Sequence, residues 1–294
     1  MILQKDKPKL DYKLLTYDIE TGLLLGRCFS IGEMVMRHTQ LLPVCNVTPI
    51  ISIAYKWYHE DEISVLSGAD AVEEFDKLAR KADVCLGKNS NRFDVKHINT
   101  QRMMQGLKPY PEWMGQSEDI ERQIRKYFKF PSYSLDYLSN LFGLGGKVKM
   151  EFSDWADIQD MQIIDRIAGQ GAFMPDCVLD SISQVLFKKS LTRVQIDGKV
   201  AMKKMLFYNK KDVEDTEDLL VKVLPYITLK YNAATKKDGL ACKTCGSLNI
   251  VMSKKVTAGQ TRYQEFECLD HKGYAGRATF SYTASRNVKY GKIG

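Results

Sequence analysis

The first ninety residues alternate between two hydrophobic rhythms. The runs 13–20 (Lys13 to Glu20) and 50–58 (Ile50 to Tyr58) are short and rich in apolar, aromatic and β-branched residues, which predicts strands. A third strand is expected over 62–66, joined to the second as a hairpin at Asp61. Residues 71–82 place apolar groups at 71, 72, 75, 78, 79 and 82, the spacing of a helix with one buried face. A short strand over 83–87 and a polar loop follow, then helices at Asp94–Gln105, 120–128 and 134–142, the last closed by Gly143, Gly145 and Gly146. A long helix is expected from Lys204 to Val223, stopping near Pro225, while 147–202 shows no clear periodicity. Strands early and helices after them predict an α/β fold, a mixed sheet flanked by helices.

Beyond residue 231 the character changes. Residues 232–239 read as a linker between a body (1–231) and a small domain without helical periodicity (240–294). Residues 232–294 hold 11 Lys and Arg against 4 Asp and Glu, so this last fifth carries the whole formal net charge of +7 and the body is neutral. A basic module on a neutral body is the electrostatic footprint of a polyanion binder. The 294 residues contain no apolar run long enough to span a membrane and begin without a signal-peptide core, so no membrane partner is expected. Four of the seven cysteines (Cys28, Cys45, Cys85, Cys177) are scattered singly, which gives no disulfide framework and points to a reducing cytoplasm.

The candidate chemistry begins at Asp18-Ile19-Glu20-Thr21. Two carboxylates two apart on a strand share one face, and Thr21-Gly22 leaves them at the strand's end. Asp94 opens a helix after the loop Gly87–Phe93, and on that ground alone it is equally an N-cap. Tyr208 and Asp212, four apart on the last helix, reach one point. A four-carboxylate cluster is a hard-oxygen site for Mg²⁺ or Mn²⁺, of the kind that acts on phosphodiesters.

Taken in order, Asp-x-Glu-Thr at 18–21, Asn-x-x-x-Phe-Asp at 89–94 and Tyr-x-x-x-Asp at 208–212 resemble the DEDDy 3′–5′ exonucleases of the ribonuclease H-like superfamily, above all the proofreading domains of B-family DNA polymerases. The likeness extends to Ile51–Trp57, Ala82-Asp83-Val84 and Phe130–Ser139, and covers residues 10–225; it departs from the family pattern around Gly169–Val200. The resemblance implies a ribonuclease H-like fold and two Mg²⁺ or Mn²⁺ ions held by Asp18, Glu20, Asp94 and Asp212, with Asp18 shared between them. Tyr208 would orient the attacking water, being a poor base with a phenol pKa near 10. Thr21 and Asn89 would hold the terminal nucleotide, with Phe93 packed behind the site. Asp119 and Asp136 are expected to be structural, Asp215 to lie at the surface or beside the site, and His97 at the surface or satisfied.

The small domain carries Cys242-Lys243-Thr244-Cys245-Gly246 and, further on, Cys268-Leu269-Asp270-His271. This spacing fits a structural Zn²⁺ site, with His271 favoured as fourth ligand over Asp270. Strands through Asn249–Met252 and Tyr263–Phe266 make it resemble a zinc ribbon, stabilised by its metal because so small a piece buries little apolar surface. Lys254, Lys255, Arg262, Arg277 and Arg286, interleaved with Tyr263, Tyr274, Phe280 and Tyr282, are candidates for phosphate contact and base stacking. Docking of the ribbon onto a protein is the competing expectation. The expected activity is a 3′–5′ exonuclease on single-stranded nucleic acid, DNA ahead of RNA, with a separate polymerase or replication protein as a further partner. The alternatives are an exoribonuclease and a catalytically silent binding or scaffold protein on the same fold.

Overall fold

The computed structural model describes residues 7–24, 47–107, 116–145, 148–169, 176–227, 229, 241–259, 261–281 and 289–290. The expected linker 232–239, Gly146, Tyr282 and Arg286 lie outside them, as does the side chain of Phe280. The first sheet is built from β1 (Leu14–Thr21), β2 (Ile50–Trp57), β3 (Ser64–Ser67), β4 (Val84–Gly87) and β5 (Ser117–Asp119), in the order β3-β2-β1-β4-β5. β1, β2 and β3 run antiparallel as a meander, and β4 and β5 join the other side parallel to β1. The helices are α1 (Ala71–Ala79), α2 (Asp94–Met104), α3 (Ile120–Tyr127), α4 (Leu135–Phe142), α5 (Phe152–Gly169), α6 (Asp176–Phe187) and α7 (Leu191–Val223). The mixed sheet flanked by helices is the fold class expected from the sequence.

The period of two in β1 sorts the core into two layers. Leu15, Tyr17 and Ile19 pack with Phe75, Val72 and Ile98 from α1 and α2. Leu14 packs on the opposite side with Leu219, Leu220 and Val223 of α7 and with Ile120, Ile124 and Leu138 of α3 and α4. Asp18 and Glu20 share the parity of Leu14, so they face α7. The β1–β2 register, Glu20 opposite Ser52, shifts between Glu20 and Thr21, where the strand ends.

The structure fills the stretch without clear periodicity. Residues 152–169 and 176–187 are helical, and α7 begins at Leu191 rather than Lys204. The 33 residues of α7 span about 50 Å, so its C-terminal half lies on the sheet while its N-terminal half lies on α5 and α6. Gly198 obscured the early turns in sequence, since glycine weakens a helix by about 1 kcal/mol against alanine. A Cβ there would lie 2.4 Å from Met161 Cβ, so glycine is what lets α5 and α7 cross this closely. β5 is only three residues long and exists through its pairing with β4.

The second sheet comprises β6 (Ile250–Ala258), β7 (Thr261–Cys268), β8 (Gly273–Ser281) and β9 (Lys289–Tyr290), all antiparallel in that order, two strands more than expected. It does not stand apart from the body. Cys242, Cys245, Phe266, Cys268, Ala275 and Ala278 belong to the same buried cluster as Leu10, Tyr12, Leu14 and Leu219. The Asp11 N–H donates to the Cys245 carbonyl at 2.8 Å. At Gly273 a Cβ would lie 2.3 Å from the Pro225 carbonyl oxygen just past α7, a contact only glycine permits.

Candidate functional site

Asp18 and Glu20 at the end of β1 meet Asp212 from α7, and one oxygen of each lies within 4.8 Å of the others. All three are half-buried. The group therefore gathers negative charge with limited water to screen it, and Asp18 shows the effect. Burial and then the charges of Asp94, Glu20 and Asp212 hold its carboxyl well above the usual carboxylate range, against a hydrogen bond from Asn209. Three mutually repelling carboxylates with an all-oxygen donor set suit a hard divalent cation, which would relieve that repulsion.

Asp94 stands beside this group as the first residue of α2. It is 3% exposed, and its Oδ1 accepts the Ile19 N–H at 3.1 Å, so it fastens α2 to the strand that carries Asp18 and Glu20. Burial pushes its carboxyl up to about 7, although backbone hydrogen bonds oppose the shift. Tyr208 lies one turn before Asp212. Burial, then the charges of Asp212 and Glu20, raise its phenol above the ordinary value of 10, so it stays protonated and acts as a donor rather than a base.

Asn209 is a member the sequence reading missed. It is fully buried on α7; its Nδ2 donates to Asp18 Oδ2 at 2.8 Å and to the Asp18 carbonyl at 3.3 Å, and its Oδ1 accepts from Ser52 Oγ at 2.9 Å. The amide thus clamps one acid's rotamer between α7 and β2. Its position beside Tyr208 was a signal, but an asparagine within a helix reveals its partners only in three dimensions.

The remaining candidates fall around this centre unevenly. Thr21 ends β1 beside Glu20. Asn89 has a left-handed backbone (φ 56°) and its N–H donates to Asp119 Oδ1 at 3.0 Å, while the same carboxylate caps α3 through the Arg122 N–H at 3.3 Å. Asp119 is therefore structural, as expected. Phe93 is 40% exposed, with its ring against His97 at 4.5 Å between centroids. Asp215 is not at the surface. It is buried and pairs with Lys211 at 2.5 Å; Glu217, two residues on, takes both Lys7 and Lys56. Lysine ammonium groups thus face Asp215 and Glu217, whereas the carboxylates of Asp18, Glu20 and Asp212 face one another.

A second donor set lies in the small sheet. Cys242, Cys245, Cys268 and His271 are all buried, with their ligand atoms within 4.8 Å of one another. Cys245 Sγ is 3.5 Å from Cys268 Sγ and from His271 Nδ1, and Cys242 Sγ is 3.6 Å from the same nitrogen. The first pair sits in a tight turn: the Gly246 N–H donates to the Cys242 carbonyl at 2.8 Å, and Gly246 takes φ 76°. The Thr244 N–H points at Cys242 Sγ, 3.3 Å away. Asp270, the alternative ligand, is engaged elsewhere, accepting from Ser247 Oγ and from Asn249 Nδ2. Three thiols and an imidazole within reach of one point suit a metal such as zinc.

Of the basic candidates, Lys254, Lys255 and Arg262 are exposed on β6 and β7. Arg277 stacks on the Tyr263 ring at 4.3 Å, and Lys243 lies 4.7 Å from the Tyr274 ring. No helix among the described residues is long and apolar enough to cross a membrane.

No family model and no curated protein matches the chain. Among solved structures, the chain is similar to the family B DNA polymerase from the hyperthermophilic archaeon Pyrobaculum calidifontis, at 15% identity and a TM-score of 0.46. That match covers 73% of this chain and 25% of the polymerase, so the chain spans about a quarter of its length.

Proposed function

We propose that this protein is a metal-dependent 3′–5′ exonuclease of ribonuclease H-like architecture, acting on single-stranded nucleic acid, DNA ahead of RNA. The observation that carries the reading is the meeting of Asp18 and Glu20 with Asp212, residues far apart in sequence, beside a protonated Tyr208 and a buried Asp94. Asp18, Glu20 and Asp212, with Asp94 in support, would hold two Mg²⁺ or Mn²⁺ ions. Such ions activate water at neutral pH and stabilise charge on a leaving oxygen. The chain's own residues place and hold the reactants. Asn209 fixes Asp18, and the Tyr208 hydroxyl donates toward the reacting phosphate or its water. Thr21, next to Glu20, and Asn89, in the loop that leads to Asp94, would contact the terminal nucleotide.

Cys242, Cys245, Cys268 and His271 hold one structural Zn²⁺ in this reading, and Lys254, Lys255, Arg262 and Arg277 add grip on the strand. Domain limits of 1–231 and 240–294, with cytoplasmic action beside a polymerase or replication protein, complete the proposal. The test is digestion of 3′-labelled single-stranded DNA and its RNA counterpart with Mg²⁺ or Mn²⁺. Stepwise release of nucleoside monophosphates, abolished in Asp18→Ala, is expected; no cleavage of either strand, or cleavage unchanged in that variant, overturns the reading. About one zinc per purified chain is expected by metal analysis.

A further inference from the structure

Tyr208 faces more than the acidic cluster. It also lines a groove of about 530 Å³, bounded by Ser134 at the start of α4, by Lys149 and Met150 before α5, and by Trp155 within it. That volume lies in the range that takes a small organic ligand or one nucleotide. We propose that this groove is a base-stacking subsite, in which Trp155 and Met150 hold the nucleotide adjoining the one to be removed and Lys149 takes its phosphate. The inference rests on the nuclease reading and adds to it the path of the strand.

Four observations converge on it. Trp155 is half-buried and packs with Met150 against Ile158, Ala201 and Met205, so the floor of the groove is an indole and a thioether backed by rigid core. Bases stack on such surfaces with little regard to sequence. Lys149 is exposed and has no ion-pair partner among the described residues, whereas nearby Lys189, Lys204 and Lys211 are all paired. The wall is fixed in place: the Asp154 carboxylate accepts the Glu151 N–H at 2.8 Å and pairs with Lys204 of α7 at 2.5 Å.

The fourth observation decides the chemistry of the occupant. Asp136 and Glu151 also line the groove and would repel a phosphate-rich ligand. A base suits them, since its exocyclic amino group or ring N–H donates to a carboxylate while its single phosphate reaches Lys149. No lining residue comes from the loop that carries Asn89, so the nucleotide held here is not the terminal one.

Binding measured on zinc-loaded protein with Ca²⁺ in place of Mg²⁺ or Mn²⁺ tests this without reading cleavage. Titrating a 5′-fluorescent oligodeoxynucleotide, we expect Trp155→Ala to weaken binding about tenfold or more and Trp155→Phe to recover most of the loss. Lys149→Gln should lower the slope of log affinity against log salt by about 0.7, the value of one single-strand phosphate. Trp155→Ala binding as tightly as the parent, or Trp155→Phe as weakly as Trp155→Ala, overturns the proposal. Because Trp155 also packs on the core, a second arm uses the unmutated protein and an oligomer carrying 5-iodouracil. Photocrosslinking to the peptide holding Met150 and Trp155 supports the subsite; adducts confined to the Tyr263 and Tyr274 peptides overturn it. Neither arm needs turnover, so a parent protein without nuclease activity would remove the functional reading and leave the binding result to stand or fall alone.

Discussion

The two candidate metal sites are opposites in construction. The Cys242–His271 set is closed: four buried donors, sequence-local pairs, a tight turn, and a core shared with Leu14 and Leu219. The acidic set is open: three half-buried carboxylates brought together from β1 and α7, with Asn209 bonding Asp18 and Asp94 bonding the Ile19 N–H between the two β1 acids. A buried thiol set at an intramolecular seam is a fastener, while repelling acids at a strand end are a reservoir of unfavourable charge released when a cation binds. A metal in the first would add to folding stability, whereas the second sets like charges against one another until a cation binds.

The largest effect should come from the closed site. Structural zinc in small domains is worth on the order of 10 kcal/mol. Cys268→Ser, or zinc removal by a strong chelator, should lower the melting temperature by at least about 10 °C, since 1 kcal/mol corresponds to about 2–4 °C in larger domains. Loss of protection should extend past the second sheet to Leu14 of β1 and Leu219 of α7, because the buried cluster is continuous. Hydrogen exchange of the zinc-free protein checks this; exchange confined to residues 241–281 would show an independent ribbon. Asp18→Asn should act in the reverse sense. In zinc-loaded protein without Mg²⁺ it removes a repelling charge and keeps or raises the melting temperature, while nuclease activity falls about 1000-fold or more, about 4 kcal/mol of transition-state stabilisation.

The contrast also explains what the sequence disclosed. The Cys/His set follows from spacing, because its donors come in local pairs within tight turns. Asp18, Glu20 and Asp212 follow from ordered motifs on elements whose periodicity is plain. Asp94 follows less completely: its role in bonding the Ile19 N–H depends on how α2 sits over β1. Asn209 was silent because its partners, Ser52 and Asp18, belong to two other strands. In sequence Asp215 is open between the surface and the flank of the site; tertiary packing decides it by burying the carboxylate with Lys211, its neighbour one turn away. Helices α5 and α6 and the first turns of α7 pack mainly on one another, and they leave Val185, Ile196 and Val200 exposed, which blurs any single apolar face.

Asn209→Ala is a smaller and sharper probe of the open site. The change leaves Ser52 Oγ and Asp18 without their shared amide, so Asp18 is free to swing from the geometry that Glu20 and Asp212 require. Groups that orient ligands in this way are worth about 10–100-fold in metal affinity or activity. We expect the Mg²⁺ concentration for half-maximal activity to rise by that factor, with near-parent activity restored at saturating metal. A loss of activity that no metal concentration restores would instead give Asn209 a direct part in the reaction.

The smallest effect is a pH dependence expected of the open site while zinc occupies the closed one. Asp94 titrates near 7 in the folded chain and Asp18 is also raised, against about 3.9 for an unfolded aspartate. The folded state therefore binds protons that the unfolded state has already released, and the stability these groups contribute is present at low pH and lost as pH rises through about 7. Zinc-loaded protein without Mg²⁺ or Mn²⁺ should lose about 1 kcal/mol or more between pH 5.5 and 8, seen as a fall of about 2–4 °C in melting temperature. Excess Mg²⁺ should flatten the dependence, because the cation replaces the protons as the partner of the carboxylates. Asp94→Asn should flatten it without Mg²⁺. A slope that survives both changes would place its origin outside the acidic cluster and remove the charge strain on which the contrast between the two sites depends.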